Sequence, residues 1–248
     1  MRDAFRHRQD VLVLQLARMC DLAGLALRRA TRALLDNDPT LAHRVVADDP
    51  VLDRARDNAQ HDAHVLLSAR TPVGGDLGLV LSVLRGAEDA ERMGDLAHHI
   101  AACVLRRHPR PVLPNLLHNR FAQMGNLAVR MAGTAAHLVR EPDPVLGTAL
   151  AHADDEIDAL HRSLFPVLSY QGWSHGVPAA VDAVLLSRNY ERFADHAVTI
   201  AHRGTTAPAG TTGEHTGTTS PAAADRTGPG AVPDTSPTCG TNVVTTQR

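Results

Sequence analysis

The chain has 248 residues, of which 25 are basic and 27 acidic; 44% are apolar but only 3% are aromatic. That length allows one large domain or two of ordinary size, and a core so poor in rings favours close-packed helices over a sheet sandwich. A net charge of -2 excludes the basic excess expected of a protein that binds nucleic acid or anionic lipid.

A first long helix is predicted from a stripe of Leu12, Leu16, Met19, Ala23, Ala26, Ala30 and Ala33, with Arg18, Asp21, Arg28, Arg29 and Arg32 on other faces. The turn signal Asn37-Asp38-Pro39 ends it and starts a second helix, predicted to run to about Ala69 with Leu41, Val45, Val46 and Leu52 inward. Thr71-Pro72-Val73-Gly74-Gly75 reads as the next connection. A third helix follows from about Asp76 to Arg107, closed by His108-Pro109-Arg110-Pro111 and Pro114.

The second half repeats the first. Phe121-Ala122-Gln123-Met124 aligns with Leu16-Ala17-Arg18-Met19 at an offset of 105 (124 − 19), and Asp154 and Asp158 align with Asp49 and Asp53 at the same offset. Glu191, Arg192 and Asp195 align with Glu91, Arg92 and Asp95 at an offset of 100 (191 − 91), which a net five-residue deletion (105 − 100) explains. The expected architecture is all-α: two tandem three-helix bundles over 1–110 and 111–203. From 204 to 248 the chain is rich in Thr, Gly and Pro, without apolar periodicity, and is expected to be disordered.

All the basic residues are arginine, and the three cysteines, Cys20, Cys103 and Cys239, form no CxxC pair. A reducing compartment is therefore expected. The opening MRDAFRHRQD lacks a signal-peptide run, and no stretch approaches the length of a membrane span, so the expectation is a soluble, cytoplasmic protein.

The repeated segments carry the chemistry. Helix two of each half holds D-x-x-x-D (Asp49/Asp53 and Asp154/Asp158), and helix three holds E-R-x-x-D (Glu91-Arg92/Asp95 and Glu191-Arg192/Asp195). A spacing of four puts both carboxylates on one helix face, where like charges repel unless something compensates them. A cation held by oxygen donors is one compensator, and the adjacent Arg92 and Arg192 are the other. A single pair of this kind reads as a solvated surface face; four pairs at matching positions of two repeats are harder to dismiss, although repeats also preserve surface charges.

At these residues the sequence resembles the PhoU family of phosphate-signalling proteins. The resemblance rests on ERMGDLAHHIA at 91–101, RNYERFADHAVTIA at 188–201, the D-x-x-x-D segments, TPVGGDL at 71–77 and the Met19 and Met124 helices, and it spans about 1–203. It implies two similar three-helix bundles, assembly as a homodimer, and acidic motifs that hold divalent or iron-type metal ions, with Mg, Mn, Fe and Zn not distinguished. The metal positions it implies are Asp49, Asp53, Glu91 and Asp95 in the first repeat and Asp154, Asp158, Glu191 and Asp195 in the second. It further implies a negative regulator of phosphate uptake and of the starvation response, an adaptor between the phosphate ABC transporter ATPase and a sensor histidine kinase, with no catalytic residues.

The sequence departs from the family pattern in places. Pro50 sits inside the first D-x-x-x-D and should break helix two, with Asp49 as a helix cap and Pro50 as the first residue of a restarted helix. Gly78 stands where the family carries Arg, and Ala194 stands in the second repeat where the first has Gly94.

His98, His99, His196 and His202 lie near the motifs and are read as surface histidines, Met19 and Met124 as core fillers, and Trp173 as a packing residue on the second bundle. None of the six Glu (88, 91, 141, 156, 191 and 214) has His three residues on, which argues against a ferritin-like oxidase. The remaining alternative is a helical metal-binding scaffold without a role in phosphate signalling.

Overall fold

The computed structural model describes residues 2–69 and 75–206. The connection at 71–74 and the segment from 207 onward, with Cys239, lie outside the described residues. The helices are α1 (Arg2–Asp36), α2 (Pro39–Asp48), α3 (Pro50–Ala69), α4 (Gly75–Arg107), α5 (Asn115–Arg140), α6 (Pro144–Arg162), α7 (Leu164–Leu168) and α8 (Gly176–Thr206), with no strand among the described residues.

Local chemistry sets the helix boundaries, and it does so in the same way twice. Asn37 takes a left-handed backbone (φ 50°), which its short polar side chain tolerates, and ends α1. Asp38 then caps α2 by accepting from the Leu41 amide at 3.0 Å, with Pro39 at the first helical position. In the second repeat Asp143 accepts from the Val145 and Leu146 amides at 2.8 and 3.3 Å, again just ahead of a proline, Pro144.

The two repeats differ in their middle helix. Pro50 divides it into α2 and α3, as its missing amide requires. Asp49 is not a cap in the usual sense, however. Its backbone stays right-handed helical (φ -49°, ψ -45°), so the chain kinks without leaving the helical region. The second repeat has no proline there, and α6 runs unbroken from Pro144 to Arg162.

The molecule is two three-helix bundles, α1 with α2–α3 and α4, and α5 with α6–α7 and α8. The long helices α1, α4, α8 and α5 pack side to side in that order, α1 closing the ring against α5, while the middle helices flank it. Burial on α1 is therefore wider than one stripe: Ala17, Cys20, Leu27 and Leu34 are buried along with Leu12, Leu16, Met19, Ala23, Ala30 and Ala33. The second buried face is the one turned to α5. Small residues allow that approach, since a Cβ on Gly24 would meet Ala132 Cβ at 3.1 Å.

Polar groups also join the repeats. Thr31 Oγ1 and Tyr190 Oη are hydrogen-bonded at 2.9 Å in the core, and Phe121 packs edge-on against Tyr190 at 5.9 Å. Arg107 pairs with Asp182, while Asn37 Nδ2 donates to the Pro109 carbonyl at 3.0 Å within the first repeat. Met19 and Met124 are fully enclosed, as are the free thiols of Cys20 and Cys103; burial pushes the Cys20 thiol up to about 12, leaving it an inert core residue. Trp173 packs against the core and donates from Nε1 to the Gly176 carbonyl at 2.9 Å.

Two acidic clusters as the candidate functional site

Packing of the middle helix against the third helix brings each predicted set of carboxylates into one electrostatic neighbourhood. In the first repeat, Asp49 lies at the α2–α3 kink and Asp53 on α3, opposite Glu91 and Asp95 on α4. Burial pushes the Asp95 carboxyl up, and the charges of Asp49 and Asp53 add to it. Glu91 is raised by burial and then by Asp95, with Arg56 pulling it back.

The cations that touch this first quartet are not the ones read from the sequence. Arg56 Nη1 donates to Glu91 Oε1 at 2.9 Å and lies 3.8 Å from Asp53. His98 Nδ1 is 2.9 Å from Asp49 Oδ2. Arg92 points elsewhere, 3.7 Å from Asp89.

In the second repeat Asp154 and Asp158 lie on the unbroken α6, opposite Glu191 and Asp195 on α8. Burial, followed by the charges of Asp195, Asp158 and Asp155, pushes the Asp154 carboxyl up to about 6. Glu191 is raised by burial and by Asp195, against the pull of Arg188. Arg188 pairs with Glu191 Oε1, and Arg162 donates to Asp158 at 3.1 Å. Arg192 is exposed. Glu191 Oε2 is buried with no hydrogen-bond partner among the described residues, an orphaned acceptor inside the cluster.

Sequence comparison with known families decides the assignment. The PhoU domain matches residues 16–104 and 121–204, one copy in each half. The chain belongs to the PhoU family. It is 44% identical over 203 residues to the phosphate-specific transport system accessory protein PhoU homolog 2 of Mycobacterium tuberculosis (strain H37Rv), covering 82% of this chain and 95% of that protein. It is 43% identical over 203 residues to PhoU homolog 1 of Mycobacterium leprae, covering 82% of this chain and 91% of that protein. The crystal structure of the phosphate transport system regulatory protein PhoU from Streptococcus pneumoniae shares the fold, with a TM-score of 0.72 at 22% identity over 81% of this chain and 94% of that one. PhoU from Pseudomonas aeruginosa superposes similarly, with a TM-score of 0.70 at 23% identity over 81% of this chain and 96% of that one.

In this PhoU-family chain the acidic motifs differ in their fitness for a cation. The second quartet offers four oxygen donors, one of them orphaned, on two unbroken helices, which is a donor set suited to a hard divalent ion or iron. It contacts two guanidiniums, Arg188 and Arg162, each from its carboxylate's own helix, whereas the first contacts a guanidinium that crosses from α3 to α4 and an imidazole. As placed, no three His, Cys, Asp or Glu side chains among the described residues converge to ligating distance. Loading a cation would therefore require the carboxylate side chains to turn toward one another.

The histidines need correction. His98 is engaged with Asp49, and His196 is half-buried, its Nδ1 lying 3.0 Å from Asp89 Oδ1 across the α4–α8 contact. Arg203 pairs with the same carboxylate. Burial would raise Asp89, but the His196 hydrogen bond and the Arg203 charge prevail and its pKa is lowered. No sequence spacing reveals this group, because it exists only once α4 lies against α8. Arg56, Arg162 and Arg188 were readable in principle: they stand three or four residues from Asp53, Asp158 and Glu191.

Proposed function

We propose that this chain is a negative regulator of phosphate uptake and of the phosphate-starvation response, acting as an adaptor and not as an enzyme. The observation that carries the reading is the 44% identity to a phosphate-specific transport system accessory protein over 95% of that protein's length. The partners in this reading are the cytoplasmic ATPase of the phosphate transporter and a sensor histidine kinase, with the chain working as a homodimer in the cytoplasm. No described helix is long and apolar enough to cross a membrane, which is compatible with that placement.

The same reading includes a divalent or iron-type ion at the acidic motifs. Asp154, Asp158, Glu191 and Asp195 are the residues that would hold it, supported by the orphaned Glu191 Oε2 and the raised Asp154. The ion would supply positive charge between α6 and α8 and thereby fix the middle helix of the second repeat to the core. The protein's own contribution is to present Asp154, Asp158 and Glu191 partly buried, where each charge is worth more than in water.

The test is alkaline phosphatase activity in phosphate-rich medium, in cells lacking this gene and any paralogue. High activity that returns to basal when the intact gene is restored supports the regulator. Unchanged activity would leave a helical scaffold without a role in phosphate signalling.

A further inference from the structure

We infer that the two acidic quartets are not equivalent: the first carries its own counter-charge in Arg56 and does not take a metal ion. The inference rests on the reading above that the second quartet does.

The geometry of Arg56 is built, not incidental. Its Nε and Nη2 both donate to Asp57 Oδ1, at 3.2 and 3.0 Å, which orients the guanidinium and aims the remaining Nη1 at Glu91 Oε1, 2.9 Å away. The Arg56 side chain is 27% exposed and that of Glu91 18%, against 53% for Arg188 in the corresponding pair of the second repeat, so this pair is the less screened of the two. A dication between Asp53 and Glu91 would face a fixed positive charge at contact range. Asp49, the donor closest to Asp95 in electrostatic effect, is engaged by His98.

The second repeat has no cation that crosses between its two helices: Arg188 reaches Glu191 and Arg162 reaches Asp158 from the same helix in each case, and the two arginines are 53% and 66% exposed. The offset of 105 that pairs Asp53 with Asp158 pairs Arg56 with His161 and Asp57 with Arg162 (56 + 105 and 57 + 105). His161 turns away, its Nδ1 lying 2.8 Å from Ser187 Oγ. The offset of 100 pairs His98 with Val198 (98 + 100), which carries no charge. Backbone geometry separates the repeats too. Asp154 and Asp158 share one rigid helix, whereas Pro50 places Asp49 and Asp53 on either side of a kink. The placement of Arg56 between α3 and α4 and the kinked backbone thus agree that the first repeat has replaced a bound cation with a side chain.

The experiment is Mn2+ titration of the intact chain, stripped of metal beforehand, with stoichiometry read by calorimetry and by the electron paramagnetic resonance of free Mn2+. Five forms are compared: wild type, Asp49→Asn with Asp53→Asn, Asp154→Asn with Asp158→Asn, Arg56→Gln, and Arg56→His with His98→Val. The last copies the second repeat's own residues and guards against a misfolded Arg56→Gln, each variant being checked by circular dichroism.

The expected result is wild-type stoichiometry unchanged by the Asp49/Asp53 changes, lost with the Asp154/Asp158 changes, and increased by about one ion per chain when Arg56 is replaced. Reduced binding after the Asp49/Asp53 changes overturns the inference, as does failure of both folded Arg56 variants to gain an ion. A wild type that binds nothing while the Arg56 variants gain an ion would sink the metal reading of the second quartet and leave this inference standing.

Discussion

Thr31 and Tyr190, 159 residues apart in sequence, share a hydrogen bond of 2.9 Å in the centre of the core. It links the first helix of one repeat to the third helix of the other, across the ring formed by α1, α4, α8 and α5. Tyr190 is fully buried, and burial drives its hydroxyl further from ionisation, so it works as a neutral hydrogen-bonding group. Tyr190→Phe and Thr31→Val should each lower stability by about 1–2 kcal/mol in urea unfolding. The double variant should cost less than the sum of the two, because an orphaned partner is then no longer left behind. Strict additivity would mean the bond contributes nothing.

Gly125→Ala probes the same region from the α5 side. An added Cβ would lie 2.5 Å from Thr31 Cγ2 and 2.8 Å from its Oγ1. Thr31 is short, branched and tied to Tyr190, so it cannot swing aside as a long side chain would. The expected loss is about 1–3 kcal/mol, read as a lower urea midpoint with an unchanged slope. By contrast, Gly133→Ala on the same helix, where an added Cβ meets nothing within 4 Å, should be neutral or slightly stabilising.

Asp89 should be a strong polar contributor to the junction between repeats. It is 5% exposed and holds His196 and Arg203 from α8. Asp89→Ala strands two cationic or hydrogen-bonding groups and should cost about 2–3 kcal/mol at pH 7. Its lowered folded pKa means that this stabilisation is present above the ordinary carboxylate value and is lost as the pH falls through the folded one. The difference between Asp89→Ala and the parent should therefore shrink only under strongly acidic conditions, measurable as urea midpoints across a pH series.

Asp154 should show the opposite sign. Its carboxyl sits at about 6 in the fold against a reference of 3.8, so the folded chain keeps the proton longer than the unfolded chain. The stability this contributes is complete below about pH 4 and is lost as the pH rises through about 6. Asp154→Asn should therefore stabilise the metal-free chain at pH 7, by about 1 kcal/mol or less once solvent screening of a partly exposed group is counted, and should have little effect at pH 4. Saturating Mn2+ should reverse the order at pH 7, stabilising the parent but not the variant. Thermal unfolding at the two pH values, with and without Mn2+, reads all four cases.

Much of the fold was legible in particular residues. The helical period of α1, the Asn37-Asp38-Pro39 turn signal and the matched D-x-x-x-D and E-R-x-x-D segments point to two similar bundles, and Pro50 marks its own kink. The sharing of the core was hidden. Ala17, Cys20, Leu27 and Leu34 look like ordinary helix positions until α5 covers them. At the site, the acidic positions could be read from spacing, because i,i+4 residues share a face whatever the tertiary structure. Their counter-charges could not be ranked the same way. Arg92 is nearer to Glu91 in sequence than Arg56 is, yet it turns to Asp89, and Arg56 reaches Glu91 only because α3 lies against α4. His196 misled for the same reason, since its partner Asp89 belongs to the other repeat.

The measurement that tests the central claim most directly is the initial rate of radiolabelled phosphate uptake by phosphate-replete cells. It compares the parent strain, a strain lacking this gene and any paralogue, and that strain with the gene restored. A regulator that restrains uptake predicts a raised rate in the deletion strain and a return to the parental rate on restoration. Equal rates in all three strains, with the restored protein present at its normal level, would contradict the account.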